Sequence, residues 1–418
     1  MATDESRGNA ETIYDPPGIR SMAHHSYLSP DGKWVLIVAM DSQGRFAPCR
    51  VVPFRGGATK TVGPTGHACL ASAWSNDGKW VYLNIYTDTF HIWRQPFPEG
   101  EPEQVTNGPT SQEGIAMDPD GHSLITSVGS QDRTVWVHDS THERQISSEG
   151  AAYAPAFSRD GKRIYYIMTK GLLDEAELWV KNLETDVADR VFPGYPIDAF
   201  SVSADGTRIV FTMTDRDGHI GLWMGDTSHL QAPRRLSDAN VIEDSPFFLP
   251  DNEIIFRSYE GTTPYLCHMD ADGGHRRKLS NQRVLEVNGI SRDGLWITAL
   301  VAGPNPDHAA YIKALATDGS EAITVCDGYC YLTWDQAGPF AYLSLAEDGD
   351  EAPTYVLPLG EGSRLPKLVE GGVFQASDIP RGSRIREIPV NVRSAVNGTK
   401  YAYERTSTRR NLFRVPLP

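Results

Sequence analysis

The sequence predicts an all-β protein of repeated four-stranded antiparallel sheets, and two observations support that prediction. The first is a short turn, SPDGKW at Ser29, which returns in altered form along the whole chain. The second is that β-branched and aromatic runs flank the turn, such as WVYLN after Lys79. Asp-Gly and Asn-Gly tolerate the positive φ of a two-residue hairpin turn, and the flanking residue types favour strands. Each copy therefore predicts a hairpin.

The turn has nine copies, of which two are degenerate and the last uses Asn-Gly. Over the first eight copies the marker residue recurs at roughly 40–46 residues, and the last step is longer. The marker residues are Asp31, Asp77, Asp120, Asp160, Asp205, Asp251, Asp293, Asp335 and Asn397. A third strand and a short fourth strand follow each hairpin, for example HIWRQPF at His91 and EQVTNG at Glu103.

This period is typical of propeller blades, because a lone four-stranded sheet cannot bury both faces whereas radial stacking covers them. We therefore expect one β-propeller over residues 1–418, with nine blades, or eight as the alternative. Residues 1–9 are expected to be a flexible N-terminus. Residues 371–389 are expected to be a long connection or insertion before the last blade. The last repeat stops after its third strand, so pairing of N- and C-terminal strands is expected to close the ring.

Composition restricts the partners. No run of 18 or more apolar residues occurs, so a membrane span is not expected. The net charge of −15 and the pI of about 5.3 disfavour nucleic acid and anionic membranes, and favour a neutral or cationic small-molecule or protein partner. No basic stretch leads into an apolar core near Met1, so the chain as given is expected in the cytoplasm.

The candidate binding residues lie where the innermost strand of each blade begins, since loops at the channel mouth are where propellers collect ligands. Polar and aromatic side chains recur at these positions and form a candidate channel-mouth set. Its members are His24, His25, His67, Glu113, Tyr153, Asp198, Glu243, Asp244, Glu286 and Tyr329.

Two interpretations of this set stay open, binding and structural hydrogen bonding. Neighbouring residues of a strand point to opposite faces, so only one of His24 and His25 is expected to face the channel. Converging carboxylates would repel, which could raise their pKa values or recruit a divalent cation. No complete set of metal ligands is visible, so no cofactor is expected, although a cation in the channel stays possible.

The five cysteines are Cys49, Cys69, Cys267, Cys326 and Cys330. Buried thiols are the default interpretation, with a Cys49–Cys69 bridge as the alternative. The Cys-x3-Cys pair has no companion pair, which disfavours a zinc site.

Catalytic motifs are missing from the sequence. No Gly-x-Ser-x-Gly elbow, zincin helix, P-loop or dinucleotide fingerprint occurs. Three Asp-x-Asp-Gly stretches, at Asp118, Asp215 and Asp270, resemble the start of a calcium loop but lack its later glutamate, so turn formation explains them better.

The repeats resemble those of the bacterial Tol-system propeller proteins. MAHHSYLSPDGKWVLIVAMDS at Met22, PCRVVPF at Pro48, RQPFPEGEPEQVTNG at Arg94 and RNLFRVPLP at Arg410 are similar to the propeller region that follows the kinase domain in large bacterial serine/threonine kinases. That resemblance implies a sensory or scaffolding role. The kinase motifs themselves, His-Arg-Asp, Asp-Phe-Gly and the Gly-rich loop, are missing, so kinase activity is not implied.

The favoured hypothesis is a non-catalytic recognition or scaffold propeller that binds its partner at the channel mouth. The alternative is a carbohydrate- or small-molecule-active lyase or hydrolase that uses His24 or His25, His67 and the acidic residues.

Overall fold

A computed structural model describes residues 11–17, 21–41, 45–148, 150–171, 175–215, 217–228, 231–305, 308–328, 330–345, 352–360, 365–369, 371–379 and 385–417. These residues form seven four-stranded sheets and one five-stranded sheet, all antiparallel, which confirms the all-β prediction. The strands group into two compact units. The first unit comprises Met1–Asp132, Gly171–Leu173 and Ser407–Pro418, and the second comprises Arg133–Lys170 and Asp174–Thr406. The single domain over residues 1–418 stays a prediction.

The first unit contains two complete sheets. One has the order β1 (Met22–Leu28), β2 (Trp34–Met40), β3 (Arg50–Pro53) and β4 (Lys60–Thr61). The other has the order β5 (Cys69–Trp74), β6 (Trp80–Tyr86), β7 (Phe90–Pro96) and β8 (Glu103–Gln104). In addition, β9 (Ser111–Met117) pairs with the first part of β10 (Ser123–Asp139), a strand that contributes residues to both units.

The second unit contains five sheets of four consecutive strands. The first two are β12 (Ala151–Phe157), β13 (Arg163–Thr169), β14 (Glu177–Asn182) and β15 (Ala188–Val191), then β16 (Ala199–Val202), β17 (Arg208–Thr214), β18 (Ile220–Asp226) and β19 (Arg234–Arg235). The next two are β20 (Glu243–Phe248), β21 (Ile254–Glu260), β22 (Thr263–Met269) and β23 (Arg277–Lys278), then β24 (Val284–Ile290), β25 (Trp296–Asn305), β26 (His308–Ala316) and β27 (Ala322–Asp327). The fifth is β28 (Cys330–Trp334), β29 (Phe340–Leu345), β30 (Thr354–Pro358) and β31 (Arg386–Ile388).

The C-terminal hairpin is completed differently from the prediction. The strands β32 (Val392–Asn397) and β33 (Lys400–Pro416) join β10 and β11 (His142–Gln145) in the order β11-β10-β33-β32. Residues 11–17 form no strand, and β1 pairs with β2. The expected pairing of N- and C-terminal strands is therefore wrong. The strands β10 and β11, which come earlier in the chain, complete the sheet of the C-terminal hairpin instead. The blade number of nine or eight stays a prediction.

The predicted long connection contains regular structure. Within 371–389, Ala376–Asp378 form a short 3-10 turn, Val373 bridges to Cys326, and β31 supplies the fourth strand of its sheet. The strand β31, which is the fourth strand of its sheet, begins only after this connection. The connection between β30 and β31 therefore accounts for part of the longer last step between repeats.

The recurring turn is held by local hydrogen bonds. In five copies the serine Oγ donates to Oδ1 of the turn aspartate over 2.6–2.8 Å and accepts from the backbone N–H five residues later over 2.9–3.0 Å. These serines are Ser29, Ser75, Ser158, Ser203 and Ser291. The hydrogen bond from the Ser203 hydroxyl, together with those from the backbone N–H and hydroxyl of Thr207, lowers the pKa of Asp205 to about 2. The turn is therefore specified by its own residues.

In the second unit, the first strands of the five consecutive sheets and β32 of the C-terminal hairpin form a row of neighbours. β32 lies beside both β12 and β28, and β24 lies beside β28 and β20, which in turn lies beside β16. The cores between these sheets are apolar and buried, with Phe211, Phe256 and Leu343 almost fully inaccessible to solvent. This packing brings the starts of the first strands together at one end and their last residues together at the other.

Candidate functional site

The starts of the first strands in the second unit carry five of the predicted channel-mouth residues. Tyr153 lies in β12, Asp198 directly precedes β16, Glu243 and Asp244 begin β20, and Glu286 lies in β24. These strands belong to the row of neighbouring first strands, and the clustering of the candidate residues into one region stays a prediction.

Two of the predicted carboxylates are held in ion pairs. Arg257 pairs with Asp244 through two hydrogen bonds, Nε to Oδ1 at 2.6 Å and Nη2 to Oδ2 at 2.9 Å. Arg276 pairs with Glu243, whose side chain is almost fully buried. An arginine beside a carboxylate offsets its charge, and removing one partner of such a buried pair destabilises the folded protein. The repulsion expected between converging carboxylates is therefore offset for these two, because each has its own guanidinium.

Glu286 differs from its neighbours. Its side chain is exposed, yet desolvation by the surrounding protein raises its pKa, while Arg257 and Arg393 act in the opposite direction. Desolvation therefore acts on Glu286 although its side chain is accessible to solvent. Glu286 thus presents a carboxylate acceptor to solvent, with Asn288 Nδ2 at 3.3 Å from its Oε1.

Two arginines of the second unit stack on aromatic rings, and one of them, Arg393, acts on Glu286. The Arg393 guanidinium lies 4.2 Å from the centroid of the Tyr331 ring, and that of Arg133 lies 5.4 Å from the Tyr153 ring. Burial raises the pKa of Tyr153, and the nearby Asp198 carboxylate adds to the effect. Stacking of this kind orients a cation over a ring face.

These arginines and Glu404 are not among the site residues predicted from the sequence. Glu404 is buried in β33, pairs with Arg133, and accepts from the backbone N–H of Ala154 at 2.8 Å. One signal was available for Arg257, which lies directly opposite Asp244 in the β20–β21 hairpin register. Glu404 and Arg133 are distant in sequence from the strand that they contact, so no local pattern predicts them.

The remaining described candidates belong to the first unit. The His24 and His25 rings lie 4.1 Å apart, so the expectation of opposite faces is wrong. The physical reason is a bulge between Ala23 and His25, which places two consecutive side chains on one side of the strand. His67 Nδ1 lies 2.9 Å from the Tyr86 carbonyl oxygen, and Glu113 pairs with Arg410.

The tenth candidate, Tyr329, lies outside the described residues. The ten channel-mouth residues as a binding or catalytic set stay a prediction, as does the alternative of a lyase or hydrolase.

The cysteines form two disulfides, Cys49–Cys69 and Cys326–Cys330. The default interpretation of buried thiols is therefore wrong for these four, and the alternative Cys49–Cys69 bridge is confirmed. The packing of neighbouring strands brings together thiols that are 20 residues apart in sequence. Cys267 is a free thiol, and burial raises its pKa to about 11.

Asp215, Asp217 and His219 form a possible cation-binding group in the described chain. However, Asp215 Oδ2 accepts from Arg235 at 2.6 Å, and its Oδ1 accepts from the backbone N–H groups of Asp217 and His219 at 3.0 and 2.9 Å. The lone pairs of Asp215 already serve its own turn and its arginine, as the sequence analysis expected of this stretch.

A cavity of about 160 Å³ lies at the other end of the first strands of the second unit. We call it the end cavity. Five strands contribute their last residue and the turn that follows. The lining residues are Phe157, Arg159, Val202, Ser203, Ala204, Phe248, Leu249, Pro250, Ile290, Ser291, Arg292, Trp334, Asp335 and Gln336. The binding residues predicted from the sequence lie only at the strand starts, so the residues at the strand ends were not predicted.

Asp335 is a buried acid in the end cavity. It occupies the position at which five other turns place serine. The prediction that Asp335 is the marker aspartate of its turn is therefore wrong. Its Oδ1 accepts from the Phe340 N–H over a long 3.4 Å, and its Oδ2 has no hydrogen-bond partner. Burial raises the pKa of Asp335 to about 6, with backbone N–H groups and Arg292 acting in the opposite direction.

No family model matches this chain. Among solved structures, it is similar to a protein assigned as TolB from Agrobacterium tumefaciens, at 15% identity and a TM-score of 0.49, over 67% of this chain and 99% of that one. It is also similar to TolB from Acinetobacter baumannii, at 17% identity and a TM-score of 0.35, over 70% of this chain and 63% of that one. A third similarity is to dipeptidyl peptidase 4 from Porphyromonas gingivalis, at 11% identity and a TM-score of 0.35, over 81% and 58% of the two chains. At these scores the fold assignment depends on the strand pairing of the chain itself.

In the described part of the chain, no helix is long and apolar enough to cross a bilayer.

Proposed function

We propose that this chain is a non-catalytic recognition module whose second unit is a closed propeller ring. Its partner, a cationic small molecule or basic peptide segment, binds where the first strands begin. We call this region the strand-start site and define it as Tyr153, Glu286, Tyr331 and Arg393. The observation that carries the proposal is Glu286, an exposed carboxylate beside the stacked Arg393–Tyr331 pair, whose pKa is raised by desolvation.

Desolvation raises the pKa of Glu286 although Arg257 and Arg393 favour its charged form. A bound ammonium or guanidinium group would favour that form further, because opposite charges at a partly desolvated site attract more strongly than in bulk water. The stacked pairs Arg393–Tyr331 and Arg133–Tyr153 provide a preorganised rim, which lowers the entropy cost of binding. The neighbouring ion pair Arg257–Asp244 fixes the remaining side chains.

The closed ring is supported by the first-strand neighbours. Gln336 Nε2 donates to the Phe157 carbonyl at 2.9 Å, and the Phe157 N–H donates to Ser394 Oγ at 3.2 Å. These bonds join the first of the five consecutive sheets to the last sheet and to the C-terminal hairpin. The pair β32–β33 is then completed by β10 and β11, which come earlier in the chain.

The test is binding of short peptides, measured by thermal unfolding and calorimetry. A ligand that binds only the folded state adds about 2.7 kcal/mol at 100 times its Kd. We expect lysine- or arginine-rich peptides to raise the Tm of the wild type and of the control E321Q, which removes an exposed carboxylate outside the site. The E286Q variant should lose the shift. Stabilisation by acidic peptides alone, or an equal shift in E286Q, would contradict the proposal.

We further propose that the protein folds in an oxidising compartment, against the cytoplasmic expectation. Disulfides persist in such compartments and are rare in the cytosol, and this chain contains two. Mass spectrometry of the protein purified from its native source under alkylating conditions tests this. Four alkylated cysteines in place of two disulfides would contradict it.

A further inference from the structure

The end cavity contains two arginines that have no ion-pair partner. Arg159 follows β12 and Arg292 follows β24, and both are exposed at the cavity. Neither has a side-chain hydrogen bond or ion pair within the described part of the chain, whereas Arg257 and Arg276 in the same unit each hold a carboxylate. Two uncommitted guanidinium groups at one concavity favour an anion, because arginine recognises carboxylates through paired N–H donors.

The rest of the lining is largely apolar. Phe157, Phe248 and Trp334 end three of the contributing strands, and Leu249, Pro250 and Ile290 add aliphatic surface. A cavity of about 150 Å³ accommodates a benzene ring, and the end cavity has a volume of about 160 Å³. The space therefore matches a ligand with one ring or a short branched chain.

Asp335 places a buried acid at the end cavity. Serine at the equivalent position completes the turn in five other copies, and in this copy Oδ1 of Asp335 accepts the corresponding N–H, that of Phe340. Its Oδ2 has no hydrogen-bond partner among the described residues, which is costly for a buried polar atom.

We propose that the end cavity binds a small carboxylate with a ring-sized apolar body, with its carboxylate held between Arg159 and Arg292. The body lies against Phe157, Phe248 and Trp334. This site is independent of the strand-start site, because the two lie at opposite ends of the same strands. It also differs from the expectation drawn from the net charge of −15, since local guanidinium groups decide recognition at short range.

Asp335 makes this binding pH-dependent. The charged and titratable groups around it are Arg159 and Arg292 at the cavity and the buried Tyr342 of β29. Only Asp335 among them titrates near neutral pH, with a pKa of about 6. Its ionised form repels an incoming carboxylate and its protonated form does not, so binding should take up a proton above this pH.

The experiment is titration calorimetry of the full chain with benzoate, benzyl alcohol and benzylamine, which share one ring and differ in charge. We expect benzoate to bind and the other two to bind at least about tenfold more weakly, the loss typical of a missing charged hydrogen bond. R159Q and R292Q should each weaken benzoate by about the same factor. The matched control is R277Q, which removes an exposed arginine of the same unit away from the cavity.

The role of Asp335 has its own measurement. Benzoate affinity should increase from pH 8 to pH 6 in the wild type and stay constant in D335N, which should also bind more tightly at pH 8. The proposal is overturned if benzoate does not bind at millimolar concentration. It is equally overturned if benzylamine binds as well as benzoate, or if R159Q and R292Q bind benzoate as the wild type does. A pH dependence that persists in D335N would remove Asp335 from the site.

Discussion

Replacing Asp335 by serine or asparagine should stabilise the protein at neutral pH. Serine is the residue that five other turns use at this position, and its Oγ accepts the same backbone N–H. Asparagine keeps the shape of the side chain and removes its charge. Both variants remove a carboxylate whose Oδ2 has no hydrogen-bond partner.

The magnitude follows from the pKa of Asp335. Burial raises it from an ordinary 3.8 to about 6, and each tenfold change in proton affinity corresponds to about 1.36 kcal/mol. The ionised side chain therefore costs the folded state about 3 kcal/mol at most at pH 7. Because the pKa is raised in the folded state, the cost is absent below pH 3.8, grows between pH 4 and pH 6, and is constant above.

The assay is urea unfolding of the wild type, D335S and D335N from pH 4 to pH 8, monitored by tryptophan fluorescence. We expect the variants to gain stability relative to the wild type at pH 7 and to converge with it near pH 4. The control is D205N, which removes an aspartate whose pKa is lowered to about 2, so its effect at pH 7 should have the opposite sign. The reasoning is refuted if D335N is no more stable than the wild type at pH 7, or if its gain is the same at pH 4.

Three further outcomes are expected. In denaturant without reductant, only the thiol of Cys267 should react, and five reactive thiols per chain would contradict the pairing. Removing the Cys49–Cys69 bridge should lower the free energy of unfolding by about 3 kcal/mol for a loop of this length. R257M should lower the free energy of unfolding by about 3 kcal/mol, because the Asp244 charge stays buried, and D244N/R257M should lose less; additive losses would show that the pair is not coupled. G161A should cost at least about 1 kcal/mol more than G206A, since both have positive φ but only a Cβ at position 161 would press on Val396, at 2.9 Å; equal losses in urea unfolding would contradict this contact.

The candidate site was predictable only in part. The sequence places Tyr153, Asp198 and Glu286 at the strand starts, because a repeat period locates equivalent positions in every sheet. The hairpin register places Arg257 opposite Asp244, but the sequence does not reveal that Arg276 holds Glu243, since that pairing depends on side-chain direction. The end cavity was missed for a similar reason, as its residues belong to turns whose sequences look purely structural.

By itself, the sequence determined the all-β class and the hairpins. Their turns are held by a serine, an aspartate and nearby backbone N–H groups, so a stretch of six residues contains all the information needed. Only the tertiary structure decided which strand completes the C-terminal hairpin, which cysteines pair, and which carboxylates meet arginines. These outcomes depend on groups far apart in the chain, such as Ala154 and Glu404, whose proximity arises from sheet packing and not from any local pattern.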